Sequence, residues 1–205
     1  MLWILLGIII SYLFGSIPTA YIFGRIIKGV DIREFGSRNV GATNALRLLG
    51  KGWGVTVLVL DILKGVLPVI ILAYVLGPKT GLAPETFCIL TGISCICGHN
   101  WTIFLKFKGG KGVATTFGVM LGLSIKIAGL KVILGLTILI WLAVFVTSRI
   151  ISLASILAAV SFPVLAILFR QSFAVILASL LLALFIIFRH KSNIRRILEG
   201  KESRI

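Results

Sequence analysis

Long apolar runs broken by short polar stretches dominate this chain. Seven runs emerge: Leu2–Phe23, Trp53–Leu76, Thr86–Leu105, Gly112–Ile127, Leu130–Thr147, Ile150–Phe169 and Ser172–Phe188. A hydrocarbon core ~30 Å thick needs about 20 helical residues at ~1.5 Å each. Six of the runs meet that requirement within a few residues. The run from Gly112 is shorter, about 16 residues, a length that re-entrant segments also have. The pattern predicts an all-α integral membrane protein: a bundle of seven transmembrane helices with functional loops on one side. It reads as a single domain over residues 1–205, with no internal repeat and no separate soluble domain.

Composition agrees. Apolar residues make up 59% of the chain and charged residues only 13%, where a soluble domain carries about a quarter. Net charge, however, is +15, from 21 Lys and Arg against 6 Asp and Glu. Membrane topology alone enriches cytoplasmic loops in Lys and Arg, and a site for anionic substrates would add more. Nucleic acid is not an expected partner, because the basic residues sit in short loops between apolar runs.

Charge placement favours seven crossings. One side then receives sixteen Lys and Arg, in residues 24–52, 106–111, Arg149 and the tail from Arg189. The other side receives four: Lys79, Lys126, Lys131 and Arg170. This is a strong positive-inside imbalance. It puts the N-terminus outside and the C-terminus in the cytoplasm. If the fourth run did not cross, the basic tail would face outward. Met1-Leu2-Trp3 offers no basic leader, so the first run is expected to remain as a helix rather than be cleaved.

Asp61 and Lys64 fall inside the second run, three apart and so able to face each other on one helix side. Each would cost about 2.5–3.5 kcal/mol at a helix centre, partly offset by pairing. Two readings stay open: a structural ion pair, or support for an active site. Gly118 and Gly122 form a GxxxG suited to close helix packing. Cys88, Cys95 and Cys97 read as small core residues. Cys95 and His99 share a helix face, but a zinc site needs three or four ligands, so no metal is expected.

Three polar clusters lie on the predicted cytoplasmic side. The first is the 29-residue stretch from Gly24 to Gly52, long enough to suggest function. It offers Ser37, Asn39, Gly41, Thr43 and Asn44 as small hydrogen-bonding or close-approach positions. Ala42–Leu49 reads as a short interfacial helix, whose start is an anion site, with Arg47 one turn further on. A capped surface turn is the equally weighted alternative. The second cluster is Lys106-Phe107-Lys108-Gly109-Gly110-Lys111-Gly112. It is not a P-loop, since Leu105 and Gly112 stand where that pattern needs Gly and Ser or Thr. Successive amides in a Gly-rich turn can still form an anion nest, and the lysines supply charge; a topology-setting basic loop is the plainer reading. Just upstream, His99 and Asn100 lie inside the third run, about 9 Å before Leu105. They line a pocket or are satisfied within the bundle. The third cluster is the tail from His190. There His190 and Asn193 fall on one helical face, and the charges also suit anchoring to anionic lipid.

Taken in order, these clusters resemble the bacterial acyl-phosphate-dependent glycerol-3-phosphate acyltransferases, the PlsY family. The resemblance rests on GVDIREFGSRNVGATNALRLLG, GHNWTIFLKFKGGKGVAT and HKSNIRRILEGKE, with GSIPTAY and DILKG between and before them. It covers nearly the whole chain. One departure is Thr102, where relatives often carry Pro; it touches the helix end and leaves His99 and Lys106 in place.

The resemblance implies a reaction: a fatty acyl group moves from acyl phosphate to the 1-hydroxyl of sn-glycerol 3-phosphate, giving lysophosphatidate and phosphate. It implies no cofactor, an inner-membrane location, contact with membrane lipid, and the enzyme that supplies acyl phosphate as a candidate partner. The donor is a mixed anhydride with phosphate as leaving group, so no acyl-enzyme is needed. Positioning and charge stabilisation remain. Lys106, Arg47, Ser37 and His99 are the candidate catalytic residues. Asn39, Gly41, Thr43, Asn44, Lys108, Gly109, Gly110, Lys111, Gly112, His190 and Asn193 are the candidate substrate-binding residues, with the Gly109 and Gly110 amides as donors to phosphate. The acceptor proton goes to His99 or to a substrate phosphate. The competing class is an anion or phosphate transporter. Polar residues gathered on one side, with no repeat symmetry, count against it.

Overall fold

The computed structural model describes residues 1–204, and among these the regular structure is entirely helical. It divides into two compact units, one spanning Met1–Lys126 and one beginning at Ile127.

In the first unit, α1 (Leu2–Ser16) is followed by α2 (Thr19–Lys28). The first apolar run is therefore broken where the sequence predicts one helix. Pro18 is the reason: it lacks an N–H, and Ile17 before it is extended, with ψ 112°. α2 stops at Gly29, whose φ of 69° is left-handed and whose amide returns to the Arg25 carbonyl. The predicted short helix is present as α3 (Ala42–Leu49). Then come α4 (Lys51–Val75), α5 (Pro84–Asn100) and α6 (Val113–Lys126).

Hydroxyls fasten α1 to α5. Ser11 donates to the Thr91 carbonyl at 2.6 Å, Ser94 to Ile8 at 2.7 Å and Tyr12 to Trp101 at 2.6 Å. In lipid, such side chain-to-backbone bonds and close packing replace the hydrophobic drive between helices. α6 lies as tightly on α4: a Cβ on Gly118 would overlap the Ile62 carbonyl. That is the packing role the GxxxG predicts.

The second unit holds α7 (Leu130–Ser148), α8 (Ile151–Leu168), α9 (Phe173–Arg189) and α10 (Lys191–Leu198). Trp141 on α7 donates to Ser155 on α8, and Ser172 caps α9 by accepting from the Val175 amide. α9 and α10 meet at a 62° bend. His190 stands at that joint as the N-cap of α10, and it and Asn193, three residues on, are both buried.

Each of the seven predicted apolar runs contains a helix. Five stretches are long and apolar enough to cross a membrane: Leu2–Lys28, Lys51–Val75, Pro84–Leu105, Leu130–Ser148 and Ile151–Leu168. The bent α9–α10 pair makes a sixth if taken as one span, and α6 is a shorter apolar helix.

Candidate active site

In the first unit, two loops rise from one apolar cluster: Ala20, Ile32, Val40, Ala45, Val57 and Leu105. Leu105 is buried immediately before Lys106, and Ala45 is buried on α3 two residues before Arg47. Lys106 and Arg47 thus emerge, exposed, from neighbouring points of the same core.

The loop over residues 29–41 is shaped by two side chains. Asp31 accepts from the Arg33 amide at 2.9 Å and pairs with the Arg33 guanidinium at 2.6 Å. Arg25 approaches the same carboxylate at 3.7 Å. Arg25 and Arg33 also stack on the Tyr21 ring, at 5.4 and 5.3 Å from its centroid. The hydrogen bonds from Arg33 hold the Asp31 carboxyl below its usual range, against the opposing pull of burial.

Asn44 is the second organiser, with 1% of its surface exposed. Its Nδ2 donates to the carbonyls of Ile32, Phe35 and Asn39 at 3.0–3.1 Å. Its Oδ1 accepts from the Ser37 amide at 3.0 Å. This corrects the expectation that Asn44 binds substrate. An amide with its bonds committed to the loop is a scaffold, and it leaves Ser37 exposed at the loop's outer side. Asn39 and Thr43 are half-buried. Gly41 is buried as the N-cap of α3, its carbonyl accepting from the Asn44 and Ala45 amides.

The glycine loop follows α5. Thr102 caps a short 3₁₀ turn over Ile103–Leu105 and donates its hydroxyl proton to the Ser16 carbonyl. Its φ of −66° is one that proline shares. Lys106 and Phe107 are then both left-handed, at φ 54° and 61°, a costly conformation for residues with a Cβ. The Gly109 amide donates to the Asn100 carbonyl at 3.2 Å and the Gly110 amide to the His99 carbonyl at 3.0 Å. These amides cap the end of α5, so the expected phosphate nest is not what they form. The glycines are needed for close approach instead. A Cβ on Gly109 would overlap the His99 carbonyl, and one on Gly110 would overlap the His99 ring nitrogen Nε2. Lys106 and Lys108 are exposed, Lys111 is half-buried and Gly112 is buried.

His99 itself is 7% exposed. Its Nε2 abuts Gly110, and its Nδ1 lies 3.8 Å from Asp61 Oδ1. The same Asp61 oxygen accepts from the Thr19 hydroxyl at 2.6 Å and pairs with Lys64 Nζ at 2.8 Å. Lys64 also donates to the Ile17 carbonyl at the α1–α2 break. Thr19, Lys64, His99, Thr102, Val40 and Gly110 line one narrow cleft, too tight to admit a water molecule. The sequence offers the Asp61–Lys64 pair but not its ties to Thr19 and His99, which lie far away in the chain. Cys95 donates its Sγ–H to the Lys64 carbonyl.

In the second unit, Glu202 does what Asn44 does in the first. It accepts from Ser152, Asn193 and Arg196, folding the tail back onto α8 and α10. Burial would raise the Glu202 carboxyl, but those three donors outweigh it and hold it below its usual range. His190 Nδ1 is 2.7 Å from the Ile186 carbonyl. Sequence reasoning passes over Glu202. Its only signal is an acid placed nine residues beyond Asn193 in a basic tail.

Known proteins give this geometry a context. Residues 5–200 match the family model described as glycerol-3-phosphate acyltransferase. A glycerol-3-phosphate acyltransferase of Thermoanaerobacter sp. (strain X514) is 41% identical over 204 residues, covering 100% of this chain and 96% of the relative. Glycerol-3-phosphate acyltransferase 2 of Moorella thermoacetica is 45% identical, covering 98% and 97%. The crystal structure of PlsY (YgiH), an integral membrane glycerol 3-phosphate acyltransferase, in its glycerol 3-phosphate form superposes with a TM-score of 0.86 at 38% identity. That match covers 98% of this chain and 95% of the other. The lysophosphatidic acid form gives 0.83 at 37%. Fold, loop order and sequence thus converge, and the chain belongs to the glycerol-3-phosphate acyltransferase family of the PlsY type.

Proposed function

We propose that this protein transfers a fatty acyl group from acyl phosphate to the 1-hydroxyl of sn-glycerol 3-phosphate. The hydroxyl oxygen attacks the acyl carbonyl carbon, an ester C–O bond forms, the bond from that carbon to the phosphate oxygen breaks, and inorganic phosphate leaves. The hydroxyl proton passes either to His99 or to a phosphate oxygen of a substrate. The products are lysophosphatidate and phosphate. In this reading all seven apolar helices cross the inner membrane, both loops face the cytoplasm, and the chain works as one catalytic domain.

The observation that carries the proposal is the shared root of the two basic loops. Lys106 and Arg47 leave one apolar cluster, beside a cleft lined by His99 and Lys64. Two phosphates brought together repel, so the site must concentrate positive charge. Lys106, Arg47 and Lys111 supply it, and each charge-assisted hydrogen bond to a phosphate oxygen contributes about 1.5–3 kcal/mol. Ser37, Asn39 and Thr43 add neutral donors. The name shared by the relatives supports the acceptor; the donor rests on the family resemblance.

Purified protein in detergent, given acyl phosphate and glycerol 3-phosphate, should release phosphate and form lysophosphatidate. Detergent removes the sealed compartments that transport requires, so turnover there excludes a pure anion transporter. No turnover with acyl phosphate, but turnover with another acyl donor, would overturn the donor assignment.

A further inference from the structure

The glycine loop does not run out into solvent. The stretch Pro84–Leu105 is long and apolar enough to cross a membrane, and the loop folds back onto its end. The Phe107 amide donates to the Thr102 carbonyl at 2.9 Å and the Lys108 amide to the Leu105 carbonyl at 3.2 Å, and the Gly110 amide then returns to His99. Residues 106–110 are thereby tied to carbonyls inside the span. Even fully extended, the two residues from Leu105 to Phe107 reach no further than about 7 Å, roughly the depth of the headgroup layer beside the hydrocarbon core. The tip nonetheless presents large apolar side chains. Ile103, Phe104 and Phe107 are 50%, 59% and 58% exposed, while Leu105 between them is buried. Phe107 holds its place in a left-handed conformation, φ 61°, which a residue with a Cβ adopts only at a cost. A hydrogen-bonded turn that shows three large apolar groups within five residues is an interaction surface.

Charge indicates what covers it. Lys106 and Lys108 flank Phe107 and are exposed. No Asp or Glu lies between Glu85 and Glu199 in the chain, and among the described residues no ion pair involves either lysine. Aromatic rings interleaved with lysines suit the boundary between acyl chains and anionic headgroups, where the rings sink and the ammonium groups reach up to phosphate. We propose that the tip, residues 103–108, is an interfacial anchor: Ile103, Phe104 and Phe107 enter the leaflet on this side of the membrane, and Lys106 and Lys108 take anionic phospholipid headgroups. The occupant is the bilayer itself, because this surface continues directly from the end of a span. The anchor fixes the height of the glycine loop, so that an amphiphilic ligand meets Lys106 without leaving the leaflet. The inference rests on α5 spanning the membrane, as the functional reading does, and not on acyl transfer.

Site-directed spin labelling of the full chain in lipid nanodiscs tests this. Cys88 and Cys95 are buried, and Cys97 is half-buried on α5, so a label there reads the span itself. Phe104→Cys, Phe107→Cys and Glu34→Cys are made in a Cys97→Ala background, Glu34 being exposed on the other loop. Both phenylalanine side chains are more than half exposed, so either substitution removes little packing, and the two positions check each other. In phosphatidylglycerol nanodiscs, labels at 104 and 107 should collide with oxygen, relative to a water-soluble nickel complex, several-fold more often than the label at 34. Calibrated against lipid nitroxides of known depth, they should lie about 5–10 Å below the phosphates. A water-exposed label at 107 together with a shielded label at Cys97 would overturn the anchor alone. A water-exposed label at Cys97 would overturn the spanning reading with it. Shielding at 107 that arises only when two copies share a nanodisc would assign the tip to a second copy and overturn the proposal. Replacing phosphatidylglycerol by phosphatidylcholine should move the 107 label outward, and Lys106→Gln/Lys108→Gln should abolish that difference. Equal depth in the two lipids would overturn the headgroup assignment.

Discussion

The two loops beside the cleft are built by opposite means. The loop over residues 29–41 is organised by side chains: Asn44 satisfies three carbonyls and one amide, and Asp31 caps a turn and gathers two arginines. The glycine loop is organised by the absence of side chains. Gly109 and Gly110 let the backbone bond straight to the end of α5. One loop therefore leaves side chains such as that of exposed Ser37 free of its scaffold, which holds only the Ser37 amide. The other tolerates no added atom at its base, yet holds Lys106 and Phe107 in strained conformations at its tip. Small polar residues and glycines look alike in a sequence as phosphate-binding material. Here Asn44, Gly109 and Gly110 build the loops, and in the proposed reading the charged side chains meet the ligand together with Ser37, Asn39 and Thr43.

The largest effect that would test this division is at Lys106. Lys106→Ala should cut turnover by at least about 10²–10³-fold, the scale of a lost electrostatic contact at the transition state, without loss of folding. Near-normal turnover would remove Lys106 from the site. Lys106→Gly sharpens the point. A left-handed residue with a Cβ costs roughly 1–2 kcal/mol, so glycine there should raise the thermal unfolding midpoint in detergent while turnover stays lost. A fall in midpoint would show that the lysine side chain, and not the backbone, holds the loop tip.

Gly109→Ala should come next. Its methyl would overlap the His99 carbonyl, and overpacking costs about 1–3 kcal/mol or more. Because the carbonyl belongs to the candidate base, stability and kcat should fall together. Unchanged thermal unfolding would mean that the loop is looser than its hydrogen bonds indicate. In the other loop, Asn44→Ala strands buried backbone groups and should cost about 1–3 kcal/mol. There the loss should appear chiefly as a raised KM for glycerol 3-phosphate, since Ser37 and Asn39 lose their placement. A changed kcat at constant KM would contradict that assignment.

The fold was legible wherever one residue type dominates over many positions. Each apolar run contains a helix, because lipid imposes the same demand along a whole span, although the first run is divided between α1 and α2. Helix α3 was legible from its glycine borders. Pro18 was visible in the sequence too, but a single proline inside an apolar run does not reveal whether the helix bends or stops. In the site, the exposed cations could be read directly, as charge is written in the residue itself. The roles of Asn44, Gly109 and Gly110 could not. Whether an amide serves a ligand or a neighbouring carbonyl depends on contacts with residues up to eleven or twelve positions away, as with Asn44 and Ile32. The Asp61–His99 pairing depends on how α4 and α5 are rotated against each other, which no local pattern specifies.

The smallest effect separates the two organisers of the first loop. Asn44 acts through neutral bonds, so its contribution should not vary with pH in the acid range. Asp31 acts through charge. Its folded pKa lies below the ordinary carboxylate range, so the unfolded chain takes up the proton first as pH falls. The Asp31 contribution is therefore present in full above that range and is lost as pH drops through the lowered folded pKa. Partly exposed pairs of this kind contribute only about 0.5–1 kcal/mol. At neutral pH, Asp31→Asn should lower the thermal unfolding midpoint by a correspondingly small step. As pH falls through that lowered folded pKa, the difference between wild type and Asp31→Asn should vanish, while Asn44→Ala keeps its full deficit. If the Asp31→Asn deficit persisted at low pH, the carboxylate would be serving as a shaped acceptor and not as a charge, and the two organisers would be of one kind.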